Sequence, residues 1–376
     1  MMQKDEALRY AVALSIASQN GGGFWDEMDK HRPNELFEIT GCADKPVQPF
    51  LTAVYSRNVL SAADEIIREL AKLNIKATHY WAEDYPPLLR EIKQPPVVLY
   101  YVGRLPIGRA VGVVGTRNPS QTSIKITNRI VSRLIKENFC VVSGMAIGID
   151  GVSHSCALEL GGRTVGVLAN GINMVYPVAN KDLYMRISRT SNSCLVSEYP
   201  PNISAGKWTF SRRNRIISGL CRALVVIQAG VKSGTLITAR FAAEQGREVF
   251  VCPGHALDAD FAGSNRLISQ GAAVLWDLDE FSASLNSLPY DESDLSEFTQ
   301  REKSSVENTV DKKPQPSAEI KADGVGGQIL AYLADKSADI DTVIRECGIS
   351  PGDFQEAIVL LEMEGLVVRK GNILSL

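Results

Sequence analysis

Hydrophobic and polar positions divide this chain of 376 residues into four stretches. Over residues 1–80 the apolar positions recur at helical spacing, broken by Gly21-Gly22-Gly23, and Ser61-Ala62-Ala63-Asp64 has the form of a capping box ahead of Ile66, Ile67, Leu70 and Leu73. That pattern predicts a small helical domain over 1–80. Tyr85-Pro86-Pro87 and Gln94-Pro95-Pro96 then flank a short helical segment leading into an apolar run at 97–101, a connector whose prolines restrict regular structure.

From about 109 to 276 the pattern changes to short continuous apolar runs alternating with helical stretches. The runs at 111–114, 140–142, 165–168, 194–196, 223–227, 249–251 and 273–275 are rich in valine and apolar at consecutive positions. Strands buried on both faces have this composition, so the pattern predicts a mostly parallel sheet with helices on both sides, a doubly wound α/β domain over 85–285. Residues 286–324 lose most large apolar side chains and fill with Ser, Asp, Glu, Lys and Pro, which predicts a disordered linker. Beyond it, 329–333, 340–347 and 352–364 read as helices, and 366–374 as a hairpin with Gly371-Asn372 at its turn. Three helices and a terminal hairpin predict a winged-helix-like domain over 325–376.

Composition narrows the chemistry. A net charge of −3 excludes a protein that is basic overall, so any nucleic-acid binding must come from a local patch. Seven scattered cysteines, without a C-x-x-C pair and several inside apolar runs, read as buried free thiols in a reducing cytosol. Four widely spaced histidines offer little to a metal, and no metal or cofactor is expected. The first residues lack the apolar core of a signal peptide and no apolar stretch of about 18 residues occurs, so a cytoplasmic location is expected.

One patch fits nucleic acid. Residues 205–215 place Lys207, Arg212, Arg213 and Arg215 beside Trp208 and Phe210, without a carboxylate in the stretch. Cations neutralise phosphates and an aromatic face stacks on an unpaired base, a combination suited to single strands. Read as a basic loop, this is a binding surface; a solvated loop with one aromatic tucked into the core would use the same residues.

Three strand ends carry glycine-rich turns that open helices: Gly112-Val113-Val114-Gly115-Thr116-Arg117, Ser143-Gly144-Met145-Ala146-Ile147-Gly148-Ile149-Asp150, and Gly230-Val231-Lys232-Ser233-Gly234-Thr235. Glycine lets amides approach an anion and a helix N-terminus adds positive potential, so together they suggest a phosphate-binding edge. Neither G-x-G-x-x-G nor the Walker pattern is present, which argues against an NAD or NTP enzyme. Asp150 and His154, at i and i+4, and Glu198 at a strand end could be written as acid/base groups, or as structural capping; no serine or cysteine sits in a recognisable nucleophile elbow. The third helix of the terminal domain holds Asp353, Glu356, Glu362 and Glu364 and no Lys or Arg, which favours a protein-contact module over duplex binding.

Taken together, Val114-Gly115-Thr116-Arg117, the Ser143–Asp150 turn with His154, Ser197-Glu198-Tyr199-Pro200, Arg213-Asn214-Arg215-Ile216-Ile217-Ser218-Gly219-Leu220 after Phe210, Ser233-Gly234-Thr235-Leu236-Ile237-Thr238-Ala239, Pro253-Gly254, and Gly263-Ser264-Asn265 with Gly271-Ala272 resemble the DprA (Smf, DNA-processing protein A) family in order over about 85–276. The resemblance implies an extended Rossmann-like domain flanked by a helical domain of the SAM or helix-hairpin-helix kind and a winged-helix-like domain. It implies a non-enzymatic, homodimeric protein that binds single-stranded DNA and loads RecA recombinase during uptake of transforming DNA. Carried over by position, Arg117, Lys207, Phe210, Arg213 and Asn214 would contact DNA, with Gly144, Ser233 and Gly234 lining a phosphate pocket; Arg212 of the basic stretch and Thr235 of the third turn are expected on the same DNA surface. One departure is Gln228, where the family more often has an acidic residue. A different class, the Rossmann-like nucleotide phosphoribohydrolases, would need an acid shortly after Gly234-Thr235, where this chain has Leu236, Ile237 and Thr238. A scaffold joining two partners through its terminal domains would leave the basic stretch inert.

Overall fold

Four helices begin the chain: α1 (Lys4–Ile16), α2 (Gly23–Glu27), α3 (Pro33–Ile39) and α4 (Val59–Leu73). The structure, a computed structural model, describes residues 4–17, 23–105, 108–289, 325–333, 338–350, 353–354, 357–358, 361, 367–370 and 373–375. They belong to two compact units, Met1–Ser296 and Glu297–Leu376. The start of α4 differs from the capping box read at Ser61: Asn58 is the cap, its Oδ1 accepting from the Ser61 amide at 3.0 Å. Asp64 is instead paired with Arg9 at 2.6 Å, tying α4 to α1. The apolar faces of these helices do not form a core of their own. Leu14, Leu36 and Ile66 share one buried cluster with Leu99, Tyr100 and Val196 of the sheet.

The sheet has nine strands: β1 (Lys76–His79), β2 (Val98–Gly103), β3 (Ala110–Val114), β4 (Cys140–Ser143), β5 (Thr164–Leu168), β6 (Cys194–Ser197), β7 (Ala223–Val226), β8 (Glu248–Val251) and β9 (Ala273–Val274). Their order is β1-β2-β6-β5-β4-β3-β7-β8-β9. From β6 to β9 every pairing is parallel, while β1 and β2 add an antiparallel edge. The apolar run at 97–101, read as an irregular connector, therefore forms most of a strand; the two prolines precede it and leave its amides free to pair.

Period-two alternation explains the two cores. In β3, Val111 and Val113 face Ile130, Leu134 and Phe281 on one side, while Ala110 and Val114 face the cluster that includes Ile216 and Ile217 on the other. The crossover helices are α6 (Gln121–Lys136), α7 (Ile149–Glu159), α8 (Lys181–Arg189), α9 (Lys207–Gly219), α10 (Thr235–Glu244) and α11 (Ala262–Ser269), after a short α5 (Pro87–Arg90), and α12 (Leu278–Asn286) follows the last strand. Six of the seven cysteines are buried, and none of the seven forms a disulfide. Among the described residues no helix is long and apolar enough to cross a membrane.

In the second unit, helices Val325–Leu333 and Ile340–Cys347 surround a core of Ile329, Leu333, Val343, Phe354, Ile358 and Leu361 with a three-stranded antiparallel sheet, β10 (Ala338–Asp339), β11 (Val368–Lys370) and β12 (Ile373–Ser375), ordered β10-β12-β11. This is the winged-helix arrangement read from the pattern. Residues 290–324, Glu356, Glu362, Glu364 and the expected turn at Gly371-Asn372 lie outside the described residues.

Candidate nucleic-acid interface

The sheet reverses its winding at β3. The chain runs outward through β4, β5 and β6 on one side and then crosses to β7, β8 and β9 on the other. Beyond the carboxyl ends of β3 and β7 no crossover covers the sheet, and open α/β folds bind ligands at this switch point. Here it holds a cleft of about 430 Å³. Arg117 reaches it from the turn after β3, Phe210, Arg213 and Asn214 from α9, and Ser233, Gly234 and Thr235 from the turn that starts α10. Exposed Lys232 and Asp260 also line it, as do Thr116 and Ser211. Of these, Lys232 was legible in the third turn and was passed over. Gln228 at the end of β7 is buried; its Oε1 accepts from the Ser120 amide at 3.1 Å, so it fixes the turn leading into α6.

Three side chains meet where the cleft adjoins a smaller recess, which Arg117 and Phe210 share with Tyr176. The Arg117 guanidinium lies 5.7 Å from the centre of the Phe210 ring, whose other neighbour is Tyr176 at 5.5 Å and 50°. Tyr176 is 47% exposed, an aromatic face open to solvent. The sequence reading missed it because it sits in a loop distant from the basic stretch.

Residues 207–219 form helix α9, and this corrects the reading of a basic loop. A helix spaces its inward positions three and four apart, and Thr209, Arg213, Ile216 and Ile217 are the buried stripe. Arg213 and Arg215 are therefore buried, at 5% and 4% exposure, and do not form an open cationic surface. Arg215 bonds Glu198 at 2.5 Å, and the half-exposed Arg212 bonds the same carboxylate at 3.1 Å. Burial alone would raise the Glu198 carboxyl; the two arginines outweigh it and hold the group below its ordinary value. Lys207 is exposed at the first turn of α9 and lines neither this cleft nor its neighbours.

Gly144 lines not this cleft but the smaller recess beside it, with Arg117, Tyr176 and Phe210. It is buried, and a Cβ built on it would lie 2.7 Å from Arg213 Nη2 and 2.8 Å from Asp150 Oδ2. Arg213 Nη1 donates to the Gly144 carbonyl at 2.6 Å and to the Val167 carbonyl. The amides of Gly144 and Ala146 donate to Asp150 Oδ2 at 3.1 and 3.4 Å, so this turn spends its anion-binding amides on a carboxylate of the chain itself. Burial raises the Asp150 carboxyl, opposed by Arg213 and by these amides; burial lowers the Arg213 guanidinium to about 10, opposed by Asp150. His154, fully buried, meets Thr164 Oγ1 through Nδ1 at 2.6 Å, and burial lowers its imidazole to about 3, with Arg213 adding to the effect. The first and third glycine turns thus open on the cleft, and the second reaches it through Ala146 and Asp150 while locking the interior beneath.

Residues 76–286 match the family model described as DNA recombination-mediator protein A, and 313–372 match the DprA winged helix domain. The chain is 33% identical to Protein Smf of Synechocystis over 360 residues, covering 90% of this chain and 88% of that one. It is 41% identical to the DNA processing protein DprA of Bacillus subtilis over 202 residues, 53% of this chain and 67% of that protein. Among solved structures, DprA from Streptococcus pneumoniae superposes with a TM-score of 0.58 at 31% identity, covering 74% of this chain and 92% of that one. DprA from Helicobacter pylori, whose structure concerns its single-stranded DNA binding mode, gives 0.51 at 28% identity over 56% of this chain and 95% of that one. A winding reversal with two glycine turns at its crevice, continuous with matches that span nearly the whole sequence, makes this chain a member of the DprA/Smf family of DNA-processing proteins.

Proposed function

We propose that the chain binds single-stranded DNA in the crevice at the ends of β3 and β7, acting without catalysis, in the cytoplasm, as a homodimer that loads RecA onto the strand during DNA uptake. The observation that carries this reading is the pairing of Arg117 with the Phe210 ring in the cleft, with exposed Tyr176 against Phe210 from the adjoining recess. It offers stacking faces to splayed bases, while Arg117, Lys232 and the start of α10 face the backbone. The single-stranded DNA binding named for the Helicobacter pylori relative supports it. A non-catalytic role is supported by the acids near the site: Asp150 is bonded to its own loop and Glu198 to two arginines, so neither is free to move a proton. Exposed Val274 and Trp276 at the β9 edge of the sheet support self-association.

Fluorescence anisotropy with matched single- and double-stranded oligonucleotides over a salt series tests the binding. The expected result is tighter binding of the single strand, and preference for duplex overturns the reading. RecA-dependent strand exchange with and without the protein tests loading, where an unchanged rate removes that part of the proposal.

A further inference from the structure

On α9, Trp208 and Phe210 stand two positions apart, roughly 200° around the helix axis, so they serve different recesses. Phe210 lines the cleft at β3 and β7. Trp208 lines a second cleft of about 730 Å³, formed between the N-terminal helical segment and the chain after β6. Its walls are aromatic: the Phe50 ring lies 4.6 Å from that of Trp208 at 64°, and the Tyr199 ring 5.6 Å away at 89°, with Trp25 completing the enclosure. Trp208 stays 46% exposed inside this concavity, so its ring is not consumed by packing. The Tyr199 hydroxyl is buried without a hydrogen-bond partner. Exposed Lys93 and half-exposed Arg212 line the cleft, while exposed Lys207, one residue before Trp208, does not. Asp26 lies on the opposite wall, and the Glu198 carboxylate is already held by Arg212 and Arg215.

We propose that this second cleft takes an unpaired base of the same DNA strand, stacked on Trp208, with a flanking phosphate facing Lys93. The inference rests on the reading of the first cleft, which supplies the strand. The exposed Trp208 ring, held edge-to-face by Phe50 and Tyr199 and bordered by a cation, complements a nucleobase and its backbone charge, whereas a duplex holds its bases closed. Helix α9 then presents one aromatic to each of two bases, and the N-terminal helices become part of the DNA surface.

The test is affinity for two oligothymidylates, one of about 20 nucleotides that reaches both clefts and one of about 6 confined to one. Trp208→Ala is expected to weaken the long strand by about 5- to 150-fold, the equivalent of the stacking on one ring, without changing its salt slope or the affinity for the short strand. Trp208→Phe, which keeps a ring, restores most of the affinity and removes the strand-dependent quench of tryptophan fluorescence. Lys93→Ala, on an exposed side chain that carries no packing, lowers the salt slope by about 0.7 on the long strand alone. If Trp208→Ala and Lys93→Ala bind both lengths like the wild type while Phe210→Ala fails on both, the second cleft holds no DNA and the first-cleft reading stands. A cleft that docks a protein gives that same result and overturns the proposal. If Arg117→Ala and Phe210→Ala both bind like the wild type, the first-cleft reading fails and this inference falls with it.

Discussion

Arg213 reaches from α9 to the carbonyl oxygen of Gly144, 69 residues earlier in the chain, with Nη1 2.6 Å from it. The same guanidinium faces Asp150, so one buried cation joins the helix of the cleft to the turn after β4. A basic residue near DNA is usually read as a phosphate contact. At this position its work is to hold the floor of the site together.

Replacing Arg213 by Ala is therefore expected to cost about 3–5 kcal/mol of stability, because it leaves Asp150 buried without its cation. Gly144→Ala should destabilise as well, since its methyl would meet Arg213 and Asp150 below 3 Å. Urea denaturation measures both. A wild-type midpoint for Arg213→Ala, with a reduced salt slope for DNA binding, would return Arg213 to the backbone-contact role.

Arg117 and Phe210 should separate by salt dependence. Arg117→Ala is expected to weaken single-strand binding and to lower the slope of log affinity against log salt by about 0.7, the value for one single-strand phosphate contact. Phe210→Ala removes stacking worth about 1–3 kcal/mol and leaves the slope unchanged, because an aromatic ring releases no counterion. Equal slopes for Arg117→Ala and the wild type contradict a phosphate contact there.

His154 imposes an acid limit on stability. Its folded value of about 3 lies below the ordinary 6.5, so only the unfolded chain takes up the proton between them. The contribution is fully present above about pH 6.5 and is lost as the pH falls towards 3, amounting to about 2 kcal/mol between pH 7 and 5. His154→Gln, which cannot titrate, should show a correspondingly smaller loss in chemical denaturation at the two pH values. Identical losses in variant and wild type would mean that His154 does not set this limit.

Removing residues 290–376 should leave single-strand affinity within about threefold, under roughly 0.7 kcal/mol, because every residue lining the two clefts lies in the first unit. Anisotropy on the truncated chain, with circular dichroism to verify folding, checks it. A hundredfold loss would place a DNA contact in the winged-helix domain.

The central architecture follows from local pattern alone. Runs of consecutive apolar residues have to be buried on both faces, and that requirement produced β3 to β9 close to where the valines lie. Glycine turns opening helices likewise located the first and third loops of the cleft, since close approach to a helix start is a local property. The inward stripe of α9 was also legible: Thr209, Arg213, Ile216 and Ile217 have helical spacing, and a helical reading of 207–219 would have turned Arg213 towards the core. Which charges remain available depends on contacts between distant segments. Glu198 pairs with arginines 14 and 17 residues away, and Asp150 faces Arg213 from another turn. Tyr176 joins Phe210 from a separate loop, and the run at 97–101 becomes a strand because β6 offers it an unpaired edge. Local spacing specifies the direction a side chain takes from its own element; whether a partner waits there depends on contacts between distant segments, which no local pattern records.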